Sequence, residues 1–414
     1  MISIIKKQIR LIKGSSFGKN SITYIIASLI SAVLSFVVVT FLTKYLTPAD
    51  FGIIENFTAL SALITSFILW GGNTLIVNYY SRNKINQFNI VVNGIIIQSF
   101  LFILLASFYT FDFFGIDRTI LLIAVVYSIF NSLYTIIIGS YQLEKKAKKY
   151  AITVILFSLL NTTLTILLVL YKPDYFGRII SFLVACFAIL LLIIFPFIKS
   201  KLKGFSFKYT FIKESYTIGL ILIIGQILSW ILEKIDRFMI SDMLSIDDAG
   251  IYGVGYQFGM IVLVMQSAIS RAWMPYIIDK TKEKNKEAIN QTIKYISLFM
   301  FVFSVLVAIA SYLYITFVID ERYHAASNIS VIVCFGYCFD GLWKLYNGLL
   351  VYENMFKIYT ITVLFAGVIN IIINYFAIPI WGINGAALAT VFSFFGGYLV
   401  SLIYVRYNLS WFKK

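Results

Sequence analysis

Long apolar runs separated by short polar loops repeat along the whole chain. A run of about 20 apolar residues is what a helix needs to cross a bilayer. The pattern predicts an all-α integral membrane protein with twelve transmembrane helices. They cover 20–43, 52–80, 88–111, 118–141, 150–171, 175–198, 214–242, 251–278, 293–319, 326–351, 357–378 and 382–406. No intervening loop is long enough for a separate soluble domain. The first residues, MISIIKKQIRLIKGSS, read differently. Ile2, Ile5, Ile9 and Ile12 share one helical face, and Lys6, Lys7, Arg10 and Lys13 share the other. This suits a helix lying on an anionic membrane surface, or the charged start of an uncleaved signal anchor. The apolar run behind it is too long for a cleavable signal peptide, so no processing is expected.

Composition agrees. The 414 residues are 60% hydrophobic and 13% charged, whereas a soluble globular chain is about half apolar and about one quarter charged. The net charge of +15 has a pattern. Most lysines and arginines lie at the two termini and in alternate loops, such as Lys145, Lys146, Lys148 and Lys149, or Lys280, Lys282, Lys284 and Lys286. The opposite loops carry only Lys44, Arg118, Lys172, Arg178 and Arg322. The positive-inside rule then puts both termini in the cytoplasm. The asymmetry accounts for the basic charge, and no nucleic-acid partner is needed. Cys186, Cys334 and Cys338 fall inside predicted spans, and the single histidine, His324, falls in a loop. That leaves no metal-ligand framework and no Ser-His-Asp triad. No catalytic residue, metal or cofactor is expected.

Two short stretches repeat. LTPADFGII (46–54) aligns without a gap on LSIDDAGIY (244–252), at an offset of 198. PDYFGRIIS (173–181) aligns on PIWGINGAA (379–387), with Gly177 over Gly382. Both point to a duplicated six-helix unit, 1–199 and 200–414. Six is even, so the two copies enter the membrane from the same side and the repeat is parallel. Transporters built on such repeats bind cargo between the halves near the midplane.

Charges inside spans are costly and mark candidate chemistry. ILEKIDRFMISDML (231–244) holds Glu233, Lys234, Asp236 and Arg237. Glu233 and Arg237 share a face with Gln226, in the favourable acid-before-base order at i,i+4. The alternative places this cluster among lipid headgroups. In the tenth predicted helix Ser330, Tyr337, Asp340, Lys344 and Asn347 form one stripe. Asp340 and Lys344 could equally be a packing ion pair. Glu55, Ala59, Ala62, Ser66 and Asn73 form a stripe in the second helix, and Arg271 is a lone cation in the eighth.

LTPADFG, DRFMISDMLSIDDAGIYGVGYQFG, RAWMPYI and GINGAALAT together resemble the polysaccharide-transporter branch of the MATE-like exporter superfamily, the Wzx-type O-antigen repeat-unit flippases. The resemblance spans essentially the whole chain. It implies two six-helix bundles around a central cavity in a bacterial inner membrane. The implied cargo is undecaprenyl-pyrophosphate carrying an oligosaccharide, moved by alternating access and coupled to H+ or Na+. Polysaccharide polymerase and a chain-length regulator are the implied partners. By position, Arg237, Arg271 and Lys344 would bind pyrophosphate. Asp236, Glu233, Asp340 and Glu55 would carry the coupling cation or pair with those bases. In this chain the embedded acids and bases balance, which departs from the cationic lumen common in the family. A MATE-type exporter of cationic drugs is the alternative transporter. A membrane glycosyltransferase or polysaccharide polymerase is the alternative of another class.

Overall fold

The computed structural model describes residues 16–81, 87–107, 116–202, 205–283, 286–353 and 355–408. The expected surface helix of residues 2–13 lies outside them. The architecture is all-helical: α1 Ser16–Tyr45, α2 Pro48–Leu69, α3 Gly72–Ser81, α4 Gln87–Ser107, α5 Arg118–Leu143, α6 Ala147–Tyr171, α7 Tyr175–Lys201, α8 Tyr209–Met243, α9 Ile246–Lys282, α10 Lys286–Val318, α11 Ala326–Tyr352 and α12 Phe356–Asn408. Among the described residues ten helices are long and apolar enough to cross a membrane, or eleven when α8, bent by 47° between Leu220 and Leu222, is included. The chain is therefore a multi-pass membrane protein.

Three departures from simple spans have local causes. The predicted span 52–80 is broken between α2 and α3, where Trp70 and Gly71 take φ of 47° and 76°. Trp70 is held there by packing on Gly219 and by donating its indole N–H to the Tyr216 carbonyl at 3.4 Å. The polar stripe expected from Glu55 to Asn73 is cut by this break. α12 runs for 53 residues but contains a non-helical residue, Gly382 (φ 58°, ψ −143°), three residues after Pro379. At about 1.5 Å per residue such a run is near 80 Å long, more than twice a hydrocarbon core. It is two helices joined at a glycine. Gly385, rather than Gly382, makes the close approach to the preceding helix: a side chain there would strike the Ala377 carbonyl. Gly177 packs more loosely, with a Cβ there 3.2 Å from the backbone of Leu168.

The other repeat is explicit in the geometry. Thr47 caps α2: its Oγ1 accepts from the Asp50 N–H at 3.1 Å, and Asp50 Oδ2 accepts from the Thr47 N–H at 3.0 Å. Ser245 caps α9 likewise, accepting from the Asp248 N–H at 3.0 Å and donating to Asp248 Oδ2 at 2.6 Å. The first is a capping box closed by aspartate; the second shares its N-cap bond and closes through the serine hydroxyl. The two helices then cross with almost no side chain between them. A Cβ on Gly52 would lie 2.0 Å from the Ile246 carbonyl oxygen, and one on Gly250 would lie 1.9 Å from that of Pro48.

The helices group into two compact units. Of the described residues, one comprises those within 16–41, 60–107 and 116–224; the other comprises those within 42–59 and 225–408. The second unit thus takes in the end of α1 and the first turns of α2. A short turn after α10 explains part of this. Arg322 Nη2 donates to the Thr43 carbonyl at 3.3 Å, and the Tyr323 hydroxyl donates to that of Leu46 at 3.1 Å. These are carbonyls that a helix end leaves unsatisfied. The Arg322 side chain also donates to Asp320 at 2.7 Å and holds that carboxylate below its usual range.

Candidate functional site

The charges of the 231–244 stretch are carried on the second half of α8, within the second unit. Arg237 is 1% exposed and is among the largest fully buried side chains. Its Nη1 donates to Asp236 Oδ1 and to the Glu233 carbonyl, each at 2.6 Å. Its Nε faces Glu55 Oε2 on α2 at 3.4 Å. The guanidinium lies 4.1 Å from the ring centre of Tyr256, close enough for a cation–π contact. Asp236 Oδ2 accepts from the Tyr252 hydroxyl at 2.5 Å, and Glu55 Oε1 accepts from Gln257 Nε2 at 2.8 Å. Glu55 lies flat over Gly253, where a Cβ would fall 2.3 Å from its Cγ. One guanidinium thus meets two carboxyl groups in an interior lined by phenol and amide donors. Burial of this kind is tolerated only where partners satisfy the charge.

A second polar group sits on α11. Asp340 is 5% exposed. It accepts from Lys344 Nζ at 2.7 Å and closely from Gln266 of α9. The Lys344 side chain is 40% exposed while paired. Glu233 is exposed and lies within electrostatic reach of both Asp340 and Lys344.

Of the expected site residues, Glu55, Asp236 and Arg237 converge, as do Asp340 and Lys344. Glu233 joins the first group only through its backbone carbonyl. Helical phase puts Glu233 and Arg237 about 40° apart, but the long arginine swings to its chain neighbour Asp236 instead. Lys234 is half-buried. Arg271 lies on α9, and its side chain falls outside the described residues.

Sequence reasoning missed the neutral partners. Tyr252, Tyr256, Gln257 and Gln266 all project from α9, and the i,i+4 spacing of the two tyrosines was the available signal. Asn56 is also engaged, donating to Ser241 at 2.8 Å. On α12, Asn374 Nδ2 donates to Asn370 Oδ1 at 3.0 Å. Asn370 Nδ2 and Asn374 Oδ1 remain buried without a hydrogen-bond partner.

A family model described as "Polysaccharide biosynthesis protein" matches residues 17–280, and one described as "MatE" matches residues 222–376. Lsg locus putative protein 1 of Haemophilus influenzae is 25% identical over 275 residues, 64% of this chain and 67% of that protein. An uncharacterized membrane protein of the same species is 22% identical over 283 residues, 65% of this chain and 67% of that protein. Among solved structures, the lipid II flippase MurJ in an inward closed conformation aligns with a TM-score of 0.76 at 18% identity, covering 92% of this chain and 87% of that one. An inward-facing multidrug resistance MATE family transporter aligns with a TM-score of 0.70 at 14% identity, covering 92% and 94%. At these identities the likeness to the two solved structures is one of fold. The chain belongs to the polysaccharide biosynthesis protein family and shares the fold of the MurJ and MATE structures.

Proposed function

We propose that the protein is a flippase that carries undecaprenyl-pyrophosphate-linked oligosaccharide repeat units, of the O-antigen kind, from the inner to the outer leaflet of a bacterial inner membrane. The observation that carries this reading is the paired charge built into membrane helices of a polysaccharide-biosynthesis chain. Arg237 is held by Asp236 and Glu55, and Lys344 is held by Asp340 with its side chain 40% exposed. An anionic head needs cations that can be released from internal acids as it arrives. Lys344 and Arg271 make the first contacts in this reading. Arg237 exchanges a carboxylate for pyrophosphate later, and Asp236, Glu233, Asp340 and Glu55 take up the coupling H+ or Na+. The lipid tail stays in the bilayer, so only the head needs a polar path. Outward movement of an anionic head from a cell negative inside gains roughly 2.3 kcal/mol per charge per 100 mV. The proposal includes cytoplasmic termini, twelve spans in two bundles (1–199 and 200–414) and hand-over to a polymerase with its chain-length regulator.

The test is gene deletion in the host followed by extraction of polyprenyl lipids. Accumulation of oligosaccharide-pyrophosphate-lipid on the cytoplasmic leaflet, with loss of surface polysaccharide, is the expected result. Normal lipid pools with reduced resistance to cationic dyes would favour drug export instead. That second reading is favoured by the MatE match over 222–376, which contains Glu233, Asp236 and Asp340. It requires Asp340→Asn to abolish transport while joint neutralisation of Arg271 and Lys344 spares it.

A further inference from the structure

α5, α6 and α7 of the first unit contain no carboxylate. Neutral polar side chains recur on them instead. Tyr127, Asn131 and Tyr134 fall at helical spacing on α5, and Tyr150, Phe157 and Asn161 do so on α6. The Tyr134 and Phe157 rings meet with 5.2 Å between centroids, so the two stripes face each other. Tyr134 lies within electrostatic reach of both Tyr150 and Tyr127, and Tyr127 within reach of Arg178 on α7. The series starts with Tyr150, in the first turn of α6. It ends at Thr165, whose hydroxyl accepts from Arg178 Nη1 at 2.7 Å. That is about 22 Å along α6 at about 1.5 Å per residue, most of a hydrocarbon core of about 30 Å.

The series is open. α5 and α6 both pack on α7 and only lightly on each other. Tyr134 and Tyr150 are half-buried, no described residue bonds their hydroxyls, and neither hydroxyl is closed off from solvent. Asn161 Oδ1 accepts from Ser181 at 3.2 Å and from Arg178 at 3.4 Å, which leaves its Nδ2 to donate. Asn131 Nδ2 reaches Thr65 at 3.5 Å, which leaves its Oδ1 to accept. Hydrocarbon would leave these groups unsatisfied. A cation would meet no carboxylate on the three helices, and a phosphate would meet a guanidinium at one end only. The chemistry that fits is neutral, both donates and accepts at many points, and has flat C–H faces to lie on phenol rings. That is a carbohydrate.

We propose that the facing stripes of α5 and α6 form a sugar track for the oligosaccharide of the cargo. The inference rests on the flippase reading and assigns the sugars of that cargo, not its pyrophosphate. The test uses full-length protein in nanodiscs and two ligands: undecaprenyl pyrophosphate bearing the host's repeat oligosaccharide, and bare undecaprenyl pyrophosphate. Bound lipid is counted by native mass spectrometry. The native chain should prefer the glycosylated lipid by roughly 25-fold, the discrimination two net hydrogen bonds supply. Tyr134→Phe keeps the ring contact and removes only the hydroxyl. It and Asn131→Ala should each cut the preference roughly fivefold, the worth of one net hydrogen bond, through weaker binding of the glycosylated lipid. A native chain that binds both lipids equally would overturn the track and leave the flippase reading standing. A native chain that binds neither would overturn the flippase reading, and the track with it. An unchanged preference in both variants would also overturn the track, since the open groups would then only be hydrated. If Tyr134→Phe does not fold, Asn131→Ala decides.

Discussion

Replacing Asp236 with asparagine removes a charge and almost no volume. In the native chain Asp236 Oδ1 accepts from Arg237 twice, from Nη1 at 2.6 Å and from the backbone N–H at 3.0 Å. Its other oxygen accepts from Tyr252. The variant leaves a guanidinium that is 1% exposed with one distant carboxylate, Glu55, beside its neutral partners. Removing one partner of a buried ion pair costs about 3–5 kcal/mol. The amide oxygen still accepts from Nη1, so the lower end, about 3 kcal/mol, is expected for Asp236→Asn. That is a large part of a total near 5–15 kcal/mol. Glu55→Gln tests the same geometry from the other side. Its contact with Arg237 is 3.4 Å, long for a charge-assisted bond, and about 1 kcal/mol is expected. Unfolding of purified protein in nanodiscs, followed by tryptophan fluorescence, gives both values. Adding Arg237→Met and Glu55→Gln to Asp236→Asn should recover part of the loss, because the cluster then holds no uncompensated charge. If Asp236→Asn is as stable as the native protein, or if Glu55→Gln costs more, the account of the cluster fails.

Gly52→Ala and Gly250→Ala should each lower the yield of folded protein in membranes several-fold, because the added methyl meets a backbone carbonyl near 2 Å; normal yields would refute the crossing. Gly253→Ala should displace the Glu55 side chain and reproduce the transport defect of Glu55→Ala without the stability loss of Asp236→Asn. Lys344→Ala should lower transport with folded protein largely retained, because Gln266 still donates to the buried Asp340; parallel loss of folded protein would make the pair structural. With the three buried native cysteines replaced, cysteines introduced at Glu283 and Glu321 should label from opposite sides of the membrane, and labelling from the same side would refute the proposed orientation.

The spans were legible because about 20 apolar residues can do little else in a chain of this composition. Their interruptions were less so. Trp70 at positive φ carries no local signal, since its conformation depends on Tyr216 and Gly219, which are distant in sequence. The ionic partners were partly legible. Asp340 and Lys344 are one turn apart and found each other, as helical spacing predicts. Arg237 chose between two nearby acids, and side-chain reach decided the outcome. The donors from α9 could not be inferred, because Tyr252, Gln257 and Gln266 look like ordinary membrane-helix residues until α2, α8 and α11 pack against them.

The crossing of α2 and α9 has the form of an isologous interface, the self-matching contact two identical subunits make about a twofold axis. At the repeat offset of 198 residues, Gly52 corresponds to Gly250 and Pro48 to Ile246. Each glycine touches the other copy's equivalent carbonyl. A residue nearest such an axis meets its own counterpart. For Glu55 that counterpart is Gly253. Two glutamates could not share this place, because their charges would repel and their stems would collide. Duplication within one chain removes the obstacle. One copy keeps the carboxylate, and the other gives up its side chain to make room. The acid that faces Arg237 is thus a feature that a strictly symmetric pair of identical subunits could not build.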